Sequence, residues 1–253
     1  MKIILKERSL LKISGFDAEI FLQNQLSNDI SKLDSSKIQL NAYCQHQGKI
    51  IGLFWVMRYE SSFLLSFPKD LEDIIKSRLQ MFVIMADVII EDISETHNQI
   101  GLIDEKEDGS YSINEKLSLI IDTRHKFNEI KNNENNQWIK ACIDSFLPEI
   151  SLTISEKLVP QMLNLDIDEF GVNFSKGCYP GQEVVARLHY LGSAKRRLFS
   201  FKADQEMQVG DSLYCATSKT ALSRGERYKG SGIVVTKVKY NSLFYCLATL
   251  DVD

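Results

Sequence analysis

Cys178 lies in the segment Lys176 to Glu183, which reads K-G-C-Y-P-G-Q-E. Two glycines and a proline around the thiol require an unusual backbone path. Val184, Val185, Leu188 and Leu191 then recur on one helical face, with Glu183 and Arg187 as an i, i+4 pair on another. A helix is expected to begin near Pro180-Gly181. That spacing brings the thiol close to a helix N-terminus, with Lys176 two residues away, and both features would activate it as a nucleophile or ligand. Exposed helix-start N–H groups would also suit a carboxylate or a polar heterocycle. The same residues equally describe a small packed cysteine in a tight loop, because free cysteines are commonly buried. A Cys–His nucleophile is not expected, since His189 lies two to three helical turns further on.

Other constellations carry less. Cys44 and His46 alternate along a strand and share a face, as two metal ligands would, but no further pair accompanies them, so no metal site is expected. Asp166, Asp168 and Glu169 read as a solvated hairpin turn between two strands and not as an acid/base pair. The five cysteines, Cys44, Cys142, Cys178, Cys215 and Cys246, are odd in number, widely spaced and free of any C-x-x-C. This argues against a disulfide framework, a zinc finger or a resident iron–sulfur cluster. Reduced thiols and a cytoplasmic location are expected. No apolar run approaches the ~20 residues of a membrane helix, and the start M-K-I-I-L-K-E-R meets charge too early for a secretory leader. The formal net charge is −4. The one compact basic cluster, Lys195-Arg196-Arg197, reads as a solvated strand end, so direct nucleic-acid binding is not expected.

The elements that must position these residues can be read along the 253-residue chain, which is 44% hydrophobic and 25% charged. Lys2 to Leu5 predicts a strand. From Asp17 the spacing of Phe16, Ile20, Phe21 and Leu26 predicts a helix. Gln39 to Cys44, Ile50 to Tyr59 and Phe63 to Phe67 read as strands, with a turn over Gln45 to Lys49. Pro68 opens a second helix whose apolar face is Leu71, Ile74, Ile75, Leu79 and Phe82. Val88 to Glu91, Gln99 to Ile103 and Leu117 to Asp122 read as strands, and Glu105 to Asn114 as a loop. An Asn-rich loop at Lys131 to Gln137 leads into a helix that ends near Phe146, before Pro148. This mixture predicts an α+β fold. From about residue 195 the pattern changes to short strands at Arg197 to Phe201, Ser212 to Cys215, Gly230 to Lys237 and Leu243 to Thr249. A small β-barrel of about 55 residues fits them.

K-G-C-Y-x-G-Q-E, followed by V-V-A-R and L-H-Y-L-G, resembles the signature of the YgfZ family. That family is a folate-binding branch related to the T-protein, the aminomethyltransferase of the glycine cleavage system. Ser14 to Ile30, Ala42 to Lys49, Ile143 to Ile150, Val159 to Asp166 and Ser193 to Arg197 are similar to further stretches of the family. The resemblance implies two packed ferredoxin-like lobes over residues 1–195 and a C-terminal β-barrel over 196–253. It implies a central hole that binds tetrahydrofolate. It implies a role in synthesis or repair of iron–sulfur clusters in client enzymes, including those that modify tRNA. Cys178 is then the functional thiol, and Trp138, Lys176, Tyr179, Gln182 and Arg187 are the candidate cofactor-binding residues. Trp138 would stack its indole on the pterin, or else serve as a core residue of its helix. The chain departs from the T-protein at Gly52 and Leu53, where that protein carries an aspartate pair. With no carboxylate there, one-carbon (aminomethyl-type) transfer, the alternative function, lacks its acid/base group. Met162 replaces a glutamate of many relatives, Arg8 falls near another of their folate-site aromatics, and Phe146 replaces a usual glycine.

Overall fold

The computed structural model describes residues 1–84, 86–123, 135–214 and 231–252. Cys215, Gly230 and part of the Asn-rich loop lie outside them. The fold is α+β and is built on three antiparallel sheets. The first contains β2 (Arg8–Ser14), β3 (Gln39–Cys44), β4 (Ile50–Tyr59), β5 (Ser62–Pro68) and β6 (Ile89–Asp92), in the order β3-β4-β5-β2-β6. Helices α1 (Ala18–Gln25) and α2 (Glu72–Gln80) connect its strands. The second joins β1 (Lys2–Ile4), β7 (His97–Ile103), β8 (Tyr111–Ser112) and β9 (Leu117–Thr123) in the order β1-β7-β9-β8, and is followed by α3 (Asn135–Asp144). The third follows α4 (Gln182–Leu191) and orders β10 (Arg196–Ala203), β11 (Ser212–Leu213), β12 (Gly232–Tyr240) and β13 (Leu243–Asp251) as β10-β13-β12-β11. Among the described residues no helix is long and apolar enough to cross a membrane.

Strand β4 explains why its sequence shows no polar alternation. Ile50 to Met57 are all buried, because both faces of the strand are covered. Gly52 faces α2 and the turn before it, where an added Cβ would meet the Leu71 and Ile75 side chains at 3.3 Å. Phe54 shares that face and packs between Tyr43 and Phe67. By strand alternation Leu53 and Trp55 point to the other face, which looks onto α3.

Several expectations need correction. Strand β2 has no counterpart in the sequence reading, and β8 lies inside the span read as a loop. Helix α1 buries Phe21 and Leu22, while Phe16 and Ile20 face outward. Phe82, read as part of the α2 face, is exposed. Asp166 to Glu169 is not a hairpin between strands; Ile167–Glu169 is a 3-10 turn, with Asp168 and Glu169 at φ +51° and +54°. Helical spacing identifies a stripe but not which neighbours cover it. Phe146 stands at φ +53°, in the region that favours glycine.

Candidate functional site

The Cys178 loop is held at two buried anchors with exposed backbone between them. Lys176 is buried, and its Nζ donates to the carbonyl oxygens of Gln23 (2.6 Å), Leu26 and Asn28 (2.8 Å). These carbonyls lie at and beyond the C-terminal end of α1, where the last turn lacks partners and a cation is favoured. All three donors of the ammonium are used. Lys176 is therefore a tether, and its charge is turned to α1. Burial lowers its pKa to about 8, with Asp29 acting in the opposite sense. Tyr179 is the second anchor, and its ring lies 5.4 Å from the Lys176 ammonium. Burial pushes its phenol well up, with the neighbouring Cys44 thiol in support. Between the anchors, Gly177 and Cys178 are exposed.

Gly181 closes the loop. Its φ is +82°, and a Cβ there would stand 2.4 Å from the Gln45 carbonyl oxygen and 2.8 Å from Gly48 Cα. Glycine is needed for both the left-handed conformation and the close approach. Helix α4 starts at the next residue, so the thiol does sit just ahead of a helix start. Gln182 is half-buried and reaches back to the Gly177 carbonyl at 3.5 Å. Arg187 is exposed, and it does not form the expected ion pair with Glu183. Of the predicted apolar face only Val185 is buried; Val184 and Leu191 are exposed. His189 stacks on Phe174, with ring centroids 3.8 Å apart.

The segment leading to this loop also lines a cavity of about 660 Å³. That volume is within the roughly 300–1,000 Å³ range of small-molecule sites. Trp55, Leu40 and Leu147 supply apolar wall, and Gln39, Asn28 and Asn173 supply amides. Asp168 and Glu169 bring carboxylates, and Lys32 and Lys37 bring cations. Glu169 is oriented by Asn173, whose Nδ2 donates to Oε2 at 2.8 Å. Asn28 Nδ2 donates to the Glu169 and Leu40 carbonyls. The carbonyl of the same Asn28 accepts from Lys176, so one residue joins the cavity to the thiol loop. Asn173 precedes Cys178 by five residues, which span at most about 17 Å.

Trp138 is buried and does not line this cavity. Its ring lies against Gly101, where a Cβ would come within 2.5 Å, and meets Trp55 edge-on at 6.0 Å. Trp55 is the indole that lines the cavity, and sequence reasoning missed it. Its signal was its position in β4, two residues from Leu53 on the same face. The other face of the network is Arg8, whose guanidinium stands 3.8 Å from the Trp55 ring centroid. Arg8 is buried, donates to Ser66 Oγ (2.8 Å) and the Ser66 carbonyl (3.0 Å), and pairs with Glu149.

The remaining candidates are accounted for structurally. Cys44 is buried and its thiol is pushed up to about 12 by burial, while His46 is exposed. Arg197 pairs with Asp166, and Arg196 with Asp251, so two members of the basic cluster serve internal ion pairs.

The comparisons with known proteins accord with this architecture. No family model matches the chain. The chain is 29% identical over 260 residues to an uncharacterized protein of Haemophilus influenzae, covering 99% of this chain and 89% of that protein. It is 30% identical over 236 residues to the tRNA-modifying protein YgfZ of Colwellia psychrerythraea, covering 81% of this chain and 72% of that protein. Aminomethyltransferase T of the glycine cleavage system from Bartonella henselae superposes with a TM-score of 0.67, covering 99% of this chain and 78% of that one at 10% identity, a likeness of fold. Sequence identity across most of both chains, on an aminomethyltransferase T-like fold, establishes that this chain belongs to the YgfZ family.

Proposed function

We propose that this protein binds tetrahydrofolate and assists the synthesis or repair of iron–sulfur clusters in cytoplasmic client enzymes, including tRNA-modifying ones. The observation that carries the folate part is the mixed lining of the 660 Å³ cavity. A pterin is flat and rich in N–H donors, and the glutamate tail of folate is anionic. Trp55, buried beneath Arg8, offers apolar wall, Glu169 an acceptor already oriented by Asn173, and Lys32 and Lys37 offer cations for the tail. The residues present therefore fit the cofactor. Lys176, Tyr179 and Gln182 act by shaping the loop beside the cavity, and Trp138 by supporting Trp55. Arg187, exposed on α4, offers a further cation to the same ligand. The iron–sulfur part rests on the family resemblance and on the exposed Cys178. The strand order of the first sheet, with α1 and α2 as its crossovers, supports a ferredoxin-like first lobe. The same reading gives residues 1–195 two such lobes and 196–253 a small barrel.

Transfer of a one-carbon unit is the weaker reading. Leu53 leaves the Trp55 face of β4 without a carboxylate. Glu169 is the cavity carboxylate that would have to replace it, and turnover of one-carbon-loaded folates by the purified protein would reverse this preference.

Titration of the purified protein with tetrahydrofolate, followed by tryptophan fluorescence and calorimetry, tests the proposal. Saturable binding is expected. Trp55→Ala should weaken it about 3- to 10-fold and Glu169→Gln by about 10-fold or more. Absence of calorimetric binding by the wild type would remove folate from the account. Cells that depend on this protein should lose client iron–sulfur activity with Cys178→Ala. Full activity in that strain would reduce the thiol to a packing role.

A further inference from the structure

A group of exposed apolar side chains lies outside the cavity, where the start of α1 meets the turn after α2. Phe16 is 90% exposed and Ile84 is 85% exposed, and Ile20, Met81, Phe82 and Ile89 are exposed around them. The backbone fixes this grouping. The Asp17 N–H donates to the Asp87 carbonyl at 3.1 Å, and the Asp87 N–H donates to Asp17 Oδ2 at 2.9 Å. Gly15, at φ +108°, allows the approach, since a Cβ there would stand 2.1 Å from the Asp87 carbonyl oxygen. Ser14 pairs with Ile89 across β2 and β6. Single exposed apolar residues are ordinary, but a group brought together by such backbone contacts marks an interaction surface.

Charge narrows the occupant. Asp17 and Asp87 sit within the group, and among the described residues no cation pairs with either. The nearby cations are committed elsewhere: Lys12 to Glu91, Arg58 to Glu19, Lys76 to Asp92 and Arg78 to Glu156. Both accept backbone N–H bonds, Asp17 from Asp87 and Asp87 from Phe16, yet two carboxylates without a paired cation beside an apolar surface disfavour an anionic bilayer. They also disfavour a two-fold contact with a second copy, which would bring like charges together.

We propose that this surface docks a protein partner that presents an apolar anchor flanked by lysine or arginine. Identifying that partner with an iron–sulfur client rests on the accessory function proposed above. Its position suits the role. The surface lies at the N-terminal end of α1, and Lys176 caps the C-terminal end of the same helix two residues before Cys178. Eight helical residues span about 12 Å. The docking surface and the thiol loop are thus joined through opposite ends of one short helix.

The test uses the full chain and an 18-residue fluorescein-labelled peptide of leucine and lysine at amphipathic helical spacing. Fluorescence anisotropy should report saturable binding. The Phe16→Ser/Ile84→Ser double variant should weaken it at least tenfold, and Asp17→Asn/Asp87→Asn severalfold. A leucine–glutamate peptide of the same pattern should not bind. Equal binding of both peptides, unchanged binding by the Phe16→Ser/Ile84→Ser variant, or no saturable binding of the lysine peptide would overturn the proposal. A dimer in sedimentation that the same variant abolishes, or variant-sensitive binding to phosphatidylglycerol vesicles, would also overturn it. Tetrahydrofolate titration of each variant should match wild type. Its failure in the wild type would remove the cofactor reading while leaving the docking result to stand by itself.

Discussion

Lys176 shows how a residue chosen for chemistry can be claimed by structure. Beside a cysteine, a lysine suggests an activating charge, but this ammonium is engaged by three carbonyls at and beyond the C-terminal end of α1. Lys176→Met would leave those carbonyls without their donor and should cost about 2–4 kcal/mol in urea unfolding. The pH dependence has a definite sign. Burial puts the folded-state pKa at about 8, below the ordinary value of 10.5. Between those values the unfolded chain holds more protons, so stability from this group rises with pH, and the cost of burying the cation is fully present below about 8. The stability difference between wild type and Lys176→Met should therefore shift in favour of the wild type from pH 7 to pH 10. A shift the other way would mean that the carbonyls outweigh desolvation. With Lys176 and Tyr179 both anchored, the exposed thiol of Cys178 is presented by the loop between them.

At the scale of elements, the junction between the loop and α4 depends on one glycine and not on its neighbour. Gly181 has no room for a Cβ against Gln45 and Gly48, whereas a Cβ at Gly177 would meet nothing within 4 Å. Gly181→Ala combines a left-handed alanine with a backbone clash and should cost roughly 2 kcal/mol or more. Gly177→Ala should stay within about 0.5 kcal/mol, as an exposed substitution away from special features does. Thermal melts of the two variants compare them directly; equal losses would mean that the loop path is not set at Gly181. The beginning of α4 was legible from Pro180-Gly181 and the following apolar spacing. Its burial was not, because, of that apolar face, only Val185 is buried by neighbouring elements. The turn at Asp168-Glu169 was misread for a related reason. Acidic residues in sequence suggest a solvated hairpin; both are exposed, as a solvated turn requires, but they adopt left-handed conformations in a 3-10 turn at the cavity and join no strands.

At the scale of the whole molecule, Arg8 joins parts that are distant in sequence. It belongs to β2, binds Ser66 of β5, pairs with Glu149 and covers Trp55 of β4. Gln99 of β7 donates to the Arg8 and Ser9 carbonyls, and the Glu149 N–H reaches Thr236 of β12 at 3.4 Å. One buried cation therefore touches or adjoins all three sheets. Burial lowers its pKa, and Glu149 is the chief opposing influence. Glu149→Gln leaves a guanidinium in the interior without its carboxylate and should cost about 3 kcal/mol. It should also change the fluorescence of Trp55, which rests on that guanidinium. A loss below about 0.5 kcal/mol in chemical denaturation would show that Ser66 alone satisfies Arg8.

Local pattern was enough for the strands from Gln39 to Phe67, the helix starts at Asp17 and Pro68, the α+β class and the presented cysteine loop. Those features depend on residue type, period and turn chemistry, all of which are written in neighbouring positions. The motifs likewise sufficed to point to the family that the relatives confirm. Tertiary structure decided which indole lines the cavity, where the Lys176 charge goes and which carboxylates border the cavity. The first two depend on partners far along the chain, such as Trp55 and Trp138, or Lys176 and Leu26. Periodicity can name the face of an element, but only packing determines what that face meets.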